Sequence, residues 1–185
     1  MMPQQRRRGW LAGLAALALA QPGDAPAILR PMDHSIVEAG PLTVIARTTG
    51  ELRLDGQLLN TAEPAPGIRT ATATLTPGRH QVQSGDHKAD IFAGPGAPAG
   101  FRPYRLHPPG GAACDTCHVL RQGAWEFKGA STSCLGCHDQ KKFPAGHTHN
   151  SEVLAECGLC HDAHGSTEKL HLKVSREVAC KLCHG

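Results

Sequence analysis

All eight cysteines of this 185-residue chain fall in four copies of one pentapeptide, Cys-x-x-Cys-His: Cys114 to His118, Cys134 to His138, Cys157 to His161 and Cys180 to His184. Residues at i, i+3 and i+4 share one face of a helical turn. Two thiols placed this way can form thioethers with the two vinyl groups of one haem, and the adjacent imidazole then reaches the iron from the same side. This spacing is the attachment signature of c-type haem. It assigns Cys114, Cys117, Cys134, Cys137, Cys157, Cys160, Cys180 and Cys183 to thioether bonds, and His118, His138, His161 and His184 to the proximal iron positions.

Two other chemistries use paired cysteines. Sixteen residues separate Cys117 from Cys134 and nineteen separate Cys160 from Cys180, which suits paired Cys-x-x-Cys zinc sites. An exported chain with an even cysteine count could also form disulfides. Neither explains a histidine after every second cysteine, so four haem c groups are the expected cofactors.

Each haem iron needs a sixth ligand or stays open. The only methionine beyond the first two residues is Met32, far from the motifs. The remaining histidines of the C-terminal region are His107, His147, His149, His164 and His171, five candidates for four irons. All four irons can therefore be bis-histidine, with one histidine left over. The region reads as a doubled unit: "HPPGGAACDTCH" parallels "HNSEVLAECGLCH", but the second unit has "CHDAH" where the first has "CHVLR". The first pair must borrow a ligand, and His147 is nearest in sequence. The favoured distal set is His107, His147, His149 and His164, with His171 as the favoured spare and the alternative to His147 or His164. His34, His80 and His87 lie upstream and are read as ordinary side chains.

The run "CGLCHDAHGSTEKLHLKVSREVACKLCH" resembles the doubled Cys-x-x-Cys-His pattern of multihaem c-type cytochromes over the last 85 residues or so. The resemblance implies a periplasmic tetrahaem electron carrier. The missing "CHxxH" histidine in the first pair departs from that pattern and bears on distal ligation only.

The elements that must carry these residues differ along the chain. Arg6, Arg7 and Arg8 precede an eleven-residue apolar run, Trp10 to Ala20. This reads as a signal peptide, residues 1–20, since a membrane span needs about 20 apolar residues. Without it the chain holds 16 Lys and Arg against 16 Asp and Glu, which gives no electrostatic case for nucleic acid. Residues 21–93 alternate with period two in "LTVIART", "ELRLDGQLL", "TATATL" and "RHQVQ", with turn signals at Asp55-Gly56 and Pro77-Gly78. The expected fold there is a small all-β sandwich of six or seven strands. The phrases "LRLDGQLL" and "LTPGRHQV" resemble Ig-like or fibronectin-like modules of secreted bacterial proteins. "AGPGAPAG" places a linker at 94–100. Residues 101–185 are expected to form a haem-packed, mostly α or irregular tetrahaem cytochrome c domain.

The expected function is electron transfer in the periplasm or at the extracellular surface. Its partners would be redox proteins, reached by docking or self-association through the β domain, with no transmembrane segment in the mature chain. The alternative is a multihaem reductase with one open iron. No Cys-x-x-Cys-Lys occurs, and the histidine surplus leaves no iron obliged to stay open. A separate docking module implies that deleting residues 27–93 weakens partner binding and leaves the haem spectrum intact.

Overall fold

A computed structural model describes residues 26–111, 113–138, 149 and 151–185. The expected signal peptide at 1–20 and His147 lie outside the described residues.

Nine strands occupy the first part: β1 (Ala27–Arg30), β2 (Ser35–Val37), β3 (Gly40–Arg47), β4 (Leu52–Leu54), β5 (Gln57–Leu58), β6 (Ala62–Ala65), β7 (Ile68–Leu75), β8 (Gly78–Ser84) and β9 (His87–Ala93). A tenth, β10 (Arg102–Pro103), follows the Pro- and Gly-rich stretch. They form a four-stranded sheet in the order β1-β3-β7-β6 and a six-stranded sheet in the order β10-β2-β9-β8-β4-β5. Period-two alternation sends one side of each strand into a shared core. Leu42, Val44 and Ala46 of β3 and Ala71 and Leu75 of β7 meet Leu52 of β4, Val82 of β8, and Ala89, Ile91 and Ala93 of β9. Val44, Leu52, Val82 and Ile91 are wholly inaccessible. The β4–β5 hairpin turns on Asp55 and Gly56, both at positive φ (50° and 80°), the geometry an Asp-Gly pair supplies.

Strand β10 pairs with β2 in parallel, so the six-stranded sheet continues past residues 94–100. Phe101 packs its ring against Phe92 and His34, with the Arg79 guanidinium 5.8 Å from its centre.

For residues 101–185 the expectation of a haem-packed, mostly α or irregular domain is corrected. The described chain is mostly β, 41% strand against 18% helix, with several sheets. The first motif runs straight into a hairpin, β11 (His118–Arg121) and β12 (Ala124–Phe127). Its turn is Gln122-Gly123, both at positive φ. Helices α1 (Cys114–Cys117), α2 (Ala130–Ser133) and α3 (Ser151–Ala155) are about one turn each, and only α4 (Arg176–His184) reaches nine residues. The physical reason is that a Cys-x-x-Cys-His group needs a single turn. His118 already has extended backbone (φ −118°, ψ 155°), and the chain is then free to pair as strands.

The second half has almost no apolar interior. Ala130 is the one buried hydrophobic residue there among the described residues. Among the described residues, every exposed large hydrophobic residue except Leu58 lies there as well: Leu120, Phe127, Leu135, Val153, Leu154, Leu159, Leu170, Val178 and Leu182. No helix among the described residues is long and apolar enough to cross a membrane.

Candidate functional site

Each motif closes as one helical turn. The amides of His118, His138 and His161 donate to the carbonyls of Cys114, Cys134 and Cys157, the latter two at 2.8 and 3.0 Å. The fourth motif lies within α4, whose N-terminus is capped by the Ser175 hydroxyl accepting from the Val178 amide. The eight cysteines are free thiols, each exposed or half-buried. Burial and the neighbouring Cys157 thiol push the Cys134 thiol above its ordinary range. Motif leucines Leu135, Leu159 and Leu182 present exposed apolar surface beside the thiols.

The histidines form pairs. His107 and His138 have ring centres 5.6 Å apart and planes within 15°. His118 and His164 are 6.1 Å apart and within 16°. His149 and His184 are 6.0 Å apart and within 25°. Each pair joins one motif histidine to one histidine outside the motifs. Metal–imidazole bonds of about 2.0–2.1 Å would put the ring centres of two imidazoles on opposite sides of one ion roughly 6 Å apart and their nitrogens about 4 Å apart; the three ring-centre distances lie near this, while the His107 and His138 Nε2 atoms stand closer, at 3.3 Å. Burial, and then the nearby His164, hold His118 below the usual histidine range, which favours the neutral form that ligates metal.

Among the described residues no three or more His, Cys, Asp or Glu side chains converge on a metal position. A zinc ion needs four protein ligands in a closed site. A haem iron would need only two further nitrogens from the chain, which each histidine pair could supply. The donor set therefore fits haem c.

No family model, curated protein or solved structure matches this chain.

His161 is placed differently. Its Nδ1 donates to the Leu170 carbonyl at 2.7 Å. That fixes the tautomer and leaves Nε2 with the lone pair for a metal. The backbone here is paired as well: Leu172 bridges His161, and the Asp162 amide donates to the His171 carbonyl at 2.7 Å. Leu170 and His171 both have positive φ (58° and 55°), a conformation costly for residues other than glycine. His171 instead sets its ring edge-on to His107, 5.1 Å between centres and 71° between planes. Burial, followed by the His107 charge, holds His171 below its ordinary range.

Sequence proximity assigned the first pair a ligand from His147. In the structure the histidine facing His118 is His164, which follows the third motif, and the one facing His138 is His107. The upstream histidines have other roles. His34 pairs with Asp33 at 2.8 Å, and His80 bridges Asp55 and Thr76.

Proposed function

We propose that this chain is an exported electron-transfer protein of the periplasm or extracellular surface that carries four covalently attached, bis-histidine haem c groups. The observation that carries the reading is the pairing of three motif histidines, each with one outside imidazole, at separations suited to two axial ligands on a single ion. The thiol pairs Cys114/Cys117, Cys134/Cys137, Cys157/Cys160 and Cys180/Cys183 would anchor the four groups. His118 with His164, His138 with His107, and His184 with His149 would hold three irons. His161 would hold the fourth, with His147 as the partner favoured from sequence and His171 as the alternative.

The haems would supply one-electron redox chemistry. The chain's own residues orient and shield. The Leu170 carbonyl keeps the proton on His161 Nδ1. The exposed leucines of the motifs offer apolar surface to a flat macrocycle. With two imidazoles for each iron, no iron is left with an open position for substrate.

A reduced pyridine haemochrome spectrum combined with intact mass tests this directly. Protein matured in an export-competent host should contain four covalent haems per chain. A colourless product, or one holding zinc or disulfides at the motif cysteines, would overturn the reading.

A further inference from the structure

The sandwich does not end where the haem-binding region begins. Strand β10 extends the six-stranded sheet, and the Tyr104 amide donates to the Ile36 carbonyl of β2 at 2.8 Å. The chain then lands on the segment that carries His164. Arg105 and Ser166 exchange both backbone hydrogen bonds, at 2.9 and 3.0 Å. The Tyr104 hydroxyl donates to the carbonyl of His164 itself at 2.8 Å, and Arg102 pairs with Glu168.

The receiving segment is fitted to this contact at Gly165 and buried just beyond it. Gly165 has φ +121°, and a Cβ there would lie 2.7 Å from both the Arg105 carbonyl oxygen and the Tyr104 ring carbon Cζ. Only glycine fits. Ser166 is completely buried. Its hydroxyl donates to the Leu172 carbonyl at 2.5 Å and accepts from the Glu168 amide at 2.9 Å. Thr167 is buried beside it. These are the principal buried contacts in a region that otherwise has almost no interior.

The His164 ring is held from its other end. Asp162 Oδ1 accepts the His164 amide at 2.9 Å and lies 3.4 Å from its Nδ1. A carboxylate beside Nδ1 fixes the tautomer that leaves Nε2 to ligate. The backbone of His164 is thus set by the sheet, its ring by Asp162, and its partner is His118.

We propose that the β-sandwich is a positioning element for axial ligation: through β10, Tyr104 and the Tyr104–Gly165 contact it holds His164 opposite His118. This rests on the haem reading above and assigns the sandwich a task inside the same chain. On this account Tyr104 and Gly165 are positioning residues, acting on one iron through His164. It also reverses the expectation that the sandwich could be removed without a spectral change.

The test uses full-length, haem-loaded protein. Wild type, Gly165→Ala, Tyr104→Phe, His164→Ala and His164→Ala/Gly165→Ala are compared by haemochrome count, low-temperature EPR and spectroelectrochemistry. All should retain four haems, since the thioether cysteines are untouched. Gly165→Ala should cost the low-spin signal of one iron in four, and added imidazole should restore it. Tyr104→Phe, which removes one donor and keeps the ring, should shift the potential of one iron and leave three unchanged. The iron affected should be the one that His164→Ala affects, and the double variant should look like His164→Ala alone. Four unchanged low-spin signals and potentials in Gly165→Ala would overturn the proposal, and so would changes at irons other than the one His164→Ala identifies. If Gly165→Ala fails to mature, Tyr104→Phe decides, and four unchanged potentials in it count against the proposal. A wild type without four haems would instead defeat the cofactor reading.

Discussion

The Nε2 atoms of His107 and His138 stand 3.3 Å apart. This separation falls short of the ring-centre distance by about two imidazole radii, so both nitrogens lie on the line between the rings and face each other head-on. An ordinary histidine–histidine hydrogen bond explains the distance in isolation. It does not explain why two more pairs in the same small region set a motif imidazole about 6 Å from an outside one with near-parallel planes. Replacing His107 by Ala should leave four thioether-bound haems and convert one to a high-spin, ligand-accepting iron. Optical spectra with and without cyanide or imidazole check this. Full low-spin character in the variant would remove His107 from the ligand set.

His171 gives the contrasting case. It lies edge-on to His107, with 71° between the planes, unlike the near-parallel pairs. A His171→Ala variant should keep all four irons low-spin, whereas His147→Ala should free one. The two variants compared by EPR settle the fourth ligand. Loss of a low-spin signal in His171→Ala would exchange their roles.

The two halves should also differ in what they need to fold. The sandwich buries Val44, Leu52, Val82 and Ile91 completely, whereas the second half relies on a few polar contacts and leaves most of its described leucines exposed. A chain with all eight cysteines replaced by serine should keep slow amide exchange in β3, β7, β8 and β9 and show fast exchange through residues 106–185. Leu52→Ala should destabilise the sandwich by about 2–5 kcal/mol, read by denaturant unfolding. Native-like protection across the second half without haem would show that its polar contacts suffice.

The motif turns were legible because a fixed spacing and one helical pitch determine them. The β3 alternation was legible because Leu42, Val44 and Ala46 face a core that carries the same period. Three features were hidden, each for a physical reason. The hairpin β11–β12 turns on Gln122-Gly123, a weaker signal than Asp-Gly because glutamine at positive φ is uncommon, and its strands begin inside a motif. Strand β10 is two residues long and follows a stretch rich in proline and glycine, so its membership of the sheet exists only in three dimensions. The pairing of His118 with His164 joins distant parts of the chain, and linear proximity favoured His147. In each case tertiary contact overrides local order, and in the last the segment that carries His164 is tied to the sheet through Tyr104 and Arg105.

His80 offers a test of the sandwich independent of any cofactor. Its Nδ1 meets the Asp55 carboxylate at 2.6 Å and its Nε2 meets the Thr76 carbonyl at 2.7 Å. Both partners only accept, and a neutral imidazole has a single N–H, so the site is built for imidazolium. Burial works against the charge, but the hydrogen bonds from Asp55 and Thr76 and the Asp55 charge outweigh it and raise the pKa. A folded-state value above the unfolded one, near 6.5, stabilises the fold fully below about pH 6.5 and loses that contribution as pH rises through the raised folded value. The stability gap between wild type and His80→Gln should therefore be largest in mild acid and shrink toward alkaline pH, as seen in urea unfolding of the sandwich across that range. Because the other titrating groups are common to both proteins, the difference isolates this one side chain. A gap that stays constant from acid to alkali would show that His80 contributes through packing alone, and a gap that widens with pH would show that Asp55 does not hold it charged.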